Sequence, residues 1–166
     1  FEAASRNQSS FTREILQGRK DEYKIMGYEH KGIFTRIDSV QSYYNANQML
    51  LETEKRNALF VKNMPIYTKI GDNGPVKYGL DSSIKNSLIA DGCVIEGTVE
   101  NSILFRGVKV GKGTVVKNCV LLQGTKVGSN CSISYVITDK NVEVSNDKVL
   151  TGSETYPLYI GKEGKI

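Results

Sequence analysis

The second half of the chain repeats one alternation of polar and apolar positions. It runs through Lys85-Asn86-Ser87-Leu88-Ile89-Ala90-Asp91-Gly92, Glu100-Asn101-Ser102-Ile103-Leu104-Phe105-Arg106-Gly107 and Lys117-Asn118-Cys119-Val120-Leu121-Leu122-Gln123-Gly124, and more loosely through Ile133-Ser134-Tyr135-Val136-Ile137-Thr138-Asp139-Lys140. These stretches start 15, 17 and 16 residues apart. Between them lie Cys93-Val94-Ile95-Glu96-Gly97, Val108-Lys109-Val110-Gly111-Lys112-Gly113 and Lys126-Val127-Gly128-Ser129-Asn130-Cys131, each holding an apolar pair followed by a turn-former. A unit this short cannot bury its apolar face alone, so the repeats are expected to stack as coils on one continuous core.

Short β-branched runs broken every five or six positions by Gly, Asn or Ser favour brief strands and tight corners over helix. An aliphatic residue recurs every sixth position at Leu104, Val110, Val116 and Leu122. Three sides per coil with that period describe a triangular prism and resemble the hexapeptide-repeat left-handed parallel β-helix. The alternative, a mixed β-sandwich, calls for longer strands alternating at wider spacing.

The first 62 residues lack the repeat and have a helical period instead. Asp38 followed by Gln41 is a capping-box-like start, and Val40, Tyr43, Tyr44, Leu50 and Leu51 share one face of a helix expected from Ser39 to Glu54. A second helix is predicted from Ser10 to Gln17, closed by Gly18, and short strands at Lys24–Tyr28 and Ile33-Phe34. Residues 63–80 read as an extended connector through Met64-Pro65-Ile66-Tyr67, with a turn at Asp72-Asn73-Gly74-Pro75. Coils begin near Leu80, and residues 81–166 form the solenoid. Its tail, Lys148 to Ile160, keeps strand character without the repeat and is expected to cap the last coil.

Composition narrows the function. The net charge of +4 is spread evenly, with 12 basic and 9 acidic side chains in residues 1–80 and 10 and 9 in residues 81–166. Without a basic stripe, nucleic acid is not an expected partner. Cys93, Cys119 and Cys131 are odd in number, form no C-x-x-C pair and sit among apolar residues, as reduced core side chains do. No apolar run is long enough for a membrane span and no secretory signal opens the chain, so a cytoplasmic location is expected.

Candidate chemistry is sparse. Acyltransferases built on such coils use a histidine base, yet the one histidine, His30, precedes the repeats. There is no phosphate loop and no dinucleotide fingerprint, and the glycines from Gly107 to Gly113 fall at corners. No catalytic residue, metal ligand or cofactor site is assigned.

Three motifs carry a family resemblance: Ser39-Val40-Gln41-Ser42-Tyr43-Tyr44-Asn45-Ala46-Asn47, Pro65-Ile66-Tyr67-Thr68, and Asn101-Ser102-Ile103-Leu104-Phe105 with Gly107-Val108. Together they resemble the exit helix, connector and coils of an ADP-glucose pyrophosphorylase (glucose-1-phosphate adenylyltransferase), over about Gly27 to Val144. The resemblance implies a C-terminal piece of such a protein: residues 1–62 as the partly helical remnant of an α/β nucleotidyltransferase domain, then the left-handed β-helix. Catalytic members use magnesium and ATP, and their Gly-Tyr-Trp-x-Asp-Ile-Gly-Thr run supplies a metal-binding aspartate. The matching stretch here is Gly32-Ile33-Phe34-Thr35-Arg36-Ile37-Asp38-Ser39, with Arg36 in the aspartate's place. A fixed cation repels Mg²⁺.

The implied protein is therefore the non-catalytic regulatory subunit of glycogen synthesis, joining a catalytic subunit or itself. Phosphorylated metabolites regulate this family, which draws attention to Lys77, Arg106 and Lys109 as candidate effector-binding cations, although each is also an ordinary surface charge. Tyr156, Leu158 and Tyr159 suit either the cap or a subunit contact. Two other readings remain open: a piece of a catalytic sugar-1-phosphate nucleotidyltransferase, and a hexapeptide acyltransferase.

Overall fold

The computed structural model describes residues 1–166, apart from the side chain of Glu2. The chain forms two compact units, residues 1–32 and 33–166.

In the first unit a single turn, α1 (Glu2–Ser5), precedes a wide π-type helix at Phe11–Gln17. Ser10 caps that helix by accepting from the Arg13 amide, and the Gly18 amide closes it on Arg13 and Ile15 carbonyls. The helix expected there is present. No strand forms at Lys24–Tyr28, nor at Ile33-Phe34 in the second unit, because neither stretch meets a partner edge.

The second unit opens with α2 (Val40–Gln48), which passes through a 3-10 turn at Met49–Leu51 into α3 (Thr53–Leu59). The predicted single helix to Glu54 is thus broken at Glu52, where ψ is 117°. Arg56 makes the break tolerable by donating to the stranded Leu50 carbonyl at 2.9 Å. The capping box also sits one residue later than expected: Ser39 and Ser42 cap reciprocally, and Asp38 accepts from the Ser42 hydroxyl.

Fifteen short strands then wind into a three-sided parallel solenoid, five strands to a face. One face stacks β1 (Lys77–Tyr78), β4 (Val94–Ile95), β7 (Lys109–Val110), β10 (Lys126–Val127) and β13 (Glu143–Val144). The second stacks β2 (Ser83–Lys85), β5 (Thr98–Glu100), β8 (Val115–Lys117), β11 (Ser132–Ser134) and β14 (Val149–Thr151). The third stacks β3 (Leu88–Ile89), β6 (Ile103–Leu104), β9 (Val120–Leu121), β12 (Val136–Thr138) and β15 (Leu158–Ile160). Coils therefore start at Lys77, slightly before the expected Leu80. The tail does not leave the repeat: β14 and β15 pair in register with β11 and β12. Beyond them the chain keeps winding onto the first face, where Lys165 forms a parallel bridge with Glu143 over the last coil.

Register places one inward column of aliphatics on each face. Ile95, Val110, Val127 and Val144 form the first, and Val99, Val116, Ile133 and Leu150 the second. All but the partly buried Leu150 are buried. Removing each such side chain from water contributes about 1.5–3 kcal/mol. On the third face Leu121 fills the core and Leu122 is only half-buried. The six-residue period pointed to Leu122 because it is blind to the shorter side between Val116 and Leu121.

Corners supply the other half of the design. Gly92, Gly107, Gly124 and Asn141 turn the chain from the third face to the first with φ between 58° and 73°. Asn86, Asn101, Asn118 and Tyr135 turn it from the second to the third with φ between 44° and 54°. The left-handed conformation costs an ordinary residue about 1–2 kcal/mol, which Gly avoids and the short polar Asn reduces.

Close coil contact makes a sharp test. A Cβ on Gly111 would lie 2.7 Å from the Gly128 carbonyl carbon and oxygen, with no flexible atom to yield. Gly111→Ala is expected to lower unfolding free energy by about 1–3 kcal/mol in denaturant melts. Gly27→Ala, whose added carbon meets nothing within 4 Å, is expected to leave the melt unchanged.

Candidate functional site

The three faces differ on their outer sides. The first and second expose Lys109, Lys126, Lys85 and Lys117. The third is apolar outside as well as inside: Leu88, Ile103, Val120, Ile137 and Tyr159 share one outward column through its register. Strands buried on both faces read as unbroken apolar doublets, and Ile103-Leu104, Val120-Leu121 and Val136-Ile137 have that form.

Helix α2 covers this face. Tyr44 is buried with Val120 and Ile137, and Tyr43 and Tyr135 pack beside them. The Tyr44 hydroxyl donates to the Asn118 carbonyl at 2.9 Å, and its ring lies 6.5 Å from that of Tyr135 at a tilt of 52°. Burial pushes the Tyr44 phenol well above its ordinary value, so the group stays a neutral donor. Tyr135 continues the corner column of Asn86, Asn101 and Asn118 at φ 54°, giving up the cheaper Asn for an aromatic contact with the helix. A second tie runs from the Gln41 side-chain amide to the Glu154 carbonyl at 2.8 Å. Sequence periodicity found Tyr43 and Tyr44 but not Tyr135, whose signal is the one break in an asparagine column.

The connector has its own anchor. Arg106, at a corner, donates from Nη1 to the Lys69 carbonyl at 2.8 Å, and the Gly92 amide donates to the Gly74 carbonyl at 2.7 Å. Of the candidate cations, Lys77 and Lys109 lie on the outer side of the first face, separated by the strand carrying Val94. Two strand spacings put their backbones roughly 10 Å apart. Lys126 continues their column and pairs with Glu143 at 2.8 Å. Arg106 is not on that face and is turned to the connector instead. Its guanidinium holds chain rather than meeting the two lysines.

Arg36 precedes α2 and pairs through Nε with Asp38 at 3.2 Å, both side chains well exposed. It borders a cleft of about 590 Å³ that also meets Lys55, Glu52, Tyr44, Asn45 and Gln48. His30 is exposed within residues 1–32. The thiols of Cys93, Cys119 and Cys131 are unpaired by disulfide and buried. Cys119 donates to the Lys117 carbonyl at 3.0 Å, and burial pushes its thiol up to about 12. A thiol so protonated is a poor nucleophile and metal ligand. Among the described residues no group of three or more His, Cys, Asp or Glu could hold a metal ion, and no helix is long and apolar enough to cross a membrane.

Residues 76–155 match the family described as GlmU-like, C-terminal hexapeptide. The chain is 46% identical over 149 residues to the glycogen biosynthesis protein GlgD of Bacillus subtilis, which covers 90% of this chain and 43% of that protein. It is 32% identical over 111 residues to a glucose-1-phosphate adenylyltransferase of Fusobacterium nucleatum (66% and 29%), and 33% identical over 118 residues to one from Clostridium botulinum strain Alaska E43 (70% and 30%). The chain thus spans less than half the length of these relatives. Over that span, the resemblance to the C-terminal part of the glucose-1-phosphate adenylyltransferase family is supported by glycogen proteins and adenylyltransferases alike.

Two outcomes follow from the geometry. Tyr44→Phe, which removes only the bond to Asn118, is expected to lower stability by about 0.5–1.5 kcal/mol, and Tyr44→Ala by about 3–5 kcal/mol. The larger loss is expected with faster proteolysis between α2 and the connector, read by mass spectrometry of the fragments. On the second face Glu100 lies 3.2 Å from Lys117 and 3.7 Å from Lys85, and the Lys117 hydrogen bond and charge, ahead of Lys85, hold its carboxyl below the ordinary 4.5. A lowered carboxylate stabilises the fold above its unfolded pKa and loses that contribution as pH falls through the folded value. Melting temperature should therefore drop less on acidification below about 4.5 in Glu100→Gln than in the unaltered chain.

Proposed function

We propose that this chain is the assembly and regulatory part of a glucose-1-phosphate adenylyltransferase-like subunit of glycogen synthesis, without catalysis of its own. The observation that carries the reading is Arg36. In the resemblance it occupies the position of the metal-binding aspartate, and in the structure its guanidinium pairs with Asp38, the nearest carboxylate in sequence. A Mg²⁺ ion requires oxygen ligands, and a paired guanidinium is the opposite of what it needs. The residues at this position do not fit the metal, so no chemical step is assigned to it. The similarity to GlgD proteins supports the glycogen context.

The geometry suits assembly. An α-helix keyed by Tyr44 into a stacked solenoid gives a stiff block, so a partner docked on the coils biases whatever is attached through α2 and the connector. Under this reading the partner is a catalytic adenylyltransferase subunit or a second copy, and the location is the cytoplasm. Lys77 and Lys109 are the cations we assign to a phosphorylated effector; Arg106, bound to the Lys69 carbonyl, is left out of that set. The alternative, a piece of a catalytic nucleotidyltransferase, is favoured only by the names of the Fusobacterium and Clostridium relatives.

The test is to mix the chain with a catalytic glucose-1-phosphate adenylyltransferase from its own source. A complex by light scattering and a changed response to phosphate-ester activators are expected, the latter weakened in a Lys77→Gln, Lys109→Gln double variant. No complex and unchanged activity would sink the reading.

A further inference from the structure

Helix α2 leaves one part of the third face open. Beside its N-terminus lies a cleft of about 540 Å³ with Leu122 and Ile137 in its lining, together with Val40, Tyr43, Tyr159 and the carboxylate of Asp139. A second cleft of about 400 Å³ shares Val40 and Tyr159 and runs on to Tyr156 and Pro157. Helix docking accounts for the buried Ile137 but not for the rings: Tyr159 is 51% exposed and Tyr156 is 82% exposed. Asp139 is held in place, its Oδ1 accepting from the Lys140 amide at 2.7 Å and its Oδ2 from the Tyr159 hydroxyl at 3.2 Å. Each carboxylate oxygen can accept a second bond.

The lining selects a ligand class. Three tyrosines present flat apolar faces with polar tips, and a fixed carboxylate accepts at the edge. No Lys or Arg lines either cleft, while Asp38 and Asp139 line the larger one, so an anion is disfavoured. A purely aliphatic ligand would desolvate Asp139 without offering it a donor. A sugar ring meets both requirements, with one face of C–H groups and hydroxyls at the rim. Two open clefts joined at Tyr159 suit consecutive units of a chain running past rather than an enclosed metabolite.

We propose that these clefts bind a neutral oligosaccharide or polysaccharide, one ring stacked on Tyr159 with a hydroxyl donating to Asp139, and the next unit beside Tyr156. The site does not depend on partnership with a catalytic subunit and is read without one.

Saturation-transfer NMR and tyrosine emission of the chain, which has no Trp, are followed during titration with maltotetraose and with cellotetraose. Saturable millimolar binding of at least one is expected, weakened about ten-fold by Tyr159→Ala and by Asp139→Asn. Tyr28→Ala, at a tyrosine 90% exposed in residues 1–32, is expected to bind as the unaltered chain does. Tyr159→Phe retains the ring and guards against misfolding of the alanine variant; it is expected to lose less affinity than Tyr159→Ala. Failure of both sugars to saturate, binding by Tyr159→Ala and Asp139→Asn as tight as by the unaltered chain, or tighter binding of glucose 1-phosphate than of either tetrasaccharide overturns the proposal.

Discussion

Everything in the second unit depends on coil-to-coil register. Each strand is two or three residues long and has no stability alone, so its hydrogen bonds exist only if the coil before and after present the same atoms at the same height. That requirement is met at the corners. Columns of Gly and Asn at positive φ turn the chain at matched places, and the amides of Gly107, Gly124 and Asn141 donate to the carbonyls of Asp91, Arg106 and Gln123 one coil back. Inside the corners, Ser102 and Thr114 donate to nearby carbonyls and accept from the Cys119 and Cys131 amides, so buried polar atoms add to the register instead of opposing it.

From that lattice follows the asymmetry that makes the molecule more than a rod. Two faces carry lysines and ion pairs outward, and the third carries aliphatics. An apolar outer face must be covered, and α2 covers the part around Val120 and Ile137. Lysine ladders on the other faces leave them wet and separate. The helix seat and the tyrosine-lined clefts are therefore two consequences of which outward positions the repeat leaves apolar.

How much of this was readable from residues alone varies with the range of the physics. Periodicity locates the coils, because stacking imposes the same apolar spacing on each, and the turn-formers mark their corners. It misplaces Leu122 by one residue, since a regular period cannot register a side one residue short. Local propensity finds α2 but carries it past Gln48, where half-buried Leu50 and Leu51 and the Arg56 bond end it. The strands expected at Lys24–Tyr28 and Ile33-Phe34 fail for want of an edge to pair with, which no local pattern reports. At the candidate cations, sequence supplies the charges but not their neighbours: only the fold separates Arg106, bound to the Lys69 carbonyl, from Lys77 and Lys109 on their shared face. Tyr135 was visible all along as the odd member of an asparagine column, but its meaning needs Tyr44 beside it.

The two ends of the solenoid are not equivalent. At the far end residues 164–166 continue the winding over β13, where the Glu143 and Ser145 amides donate to the Gly164 and Ile166 carbonyls. At the near end β1, β2 and β3 are all outermost strands and Tyr78 and Ile84 are exposed, whereas at the far end only β14 and β15 are outermost, β13 being bridged by Lys165. In a stack whose coils touch only their neighbours, the weakest interface opens first and the rest follow in order. Unravelling thus has a direction, running from Lys77 towards the coils gripped by Tyr44, so the connector is released long before the helix seat.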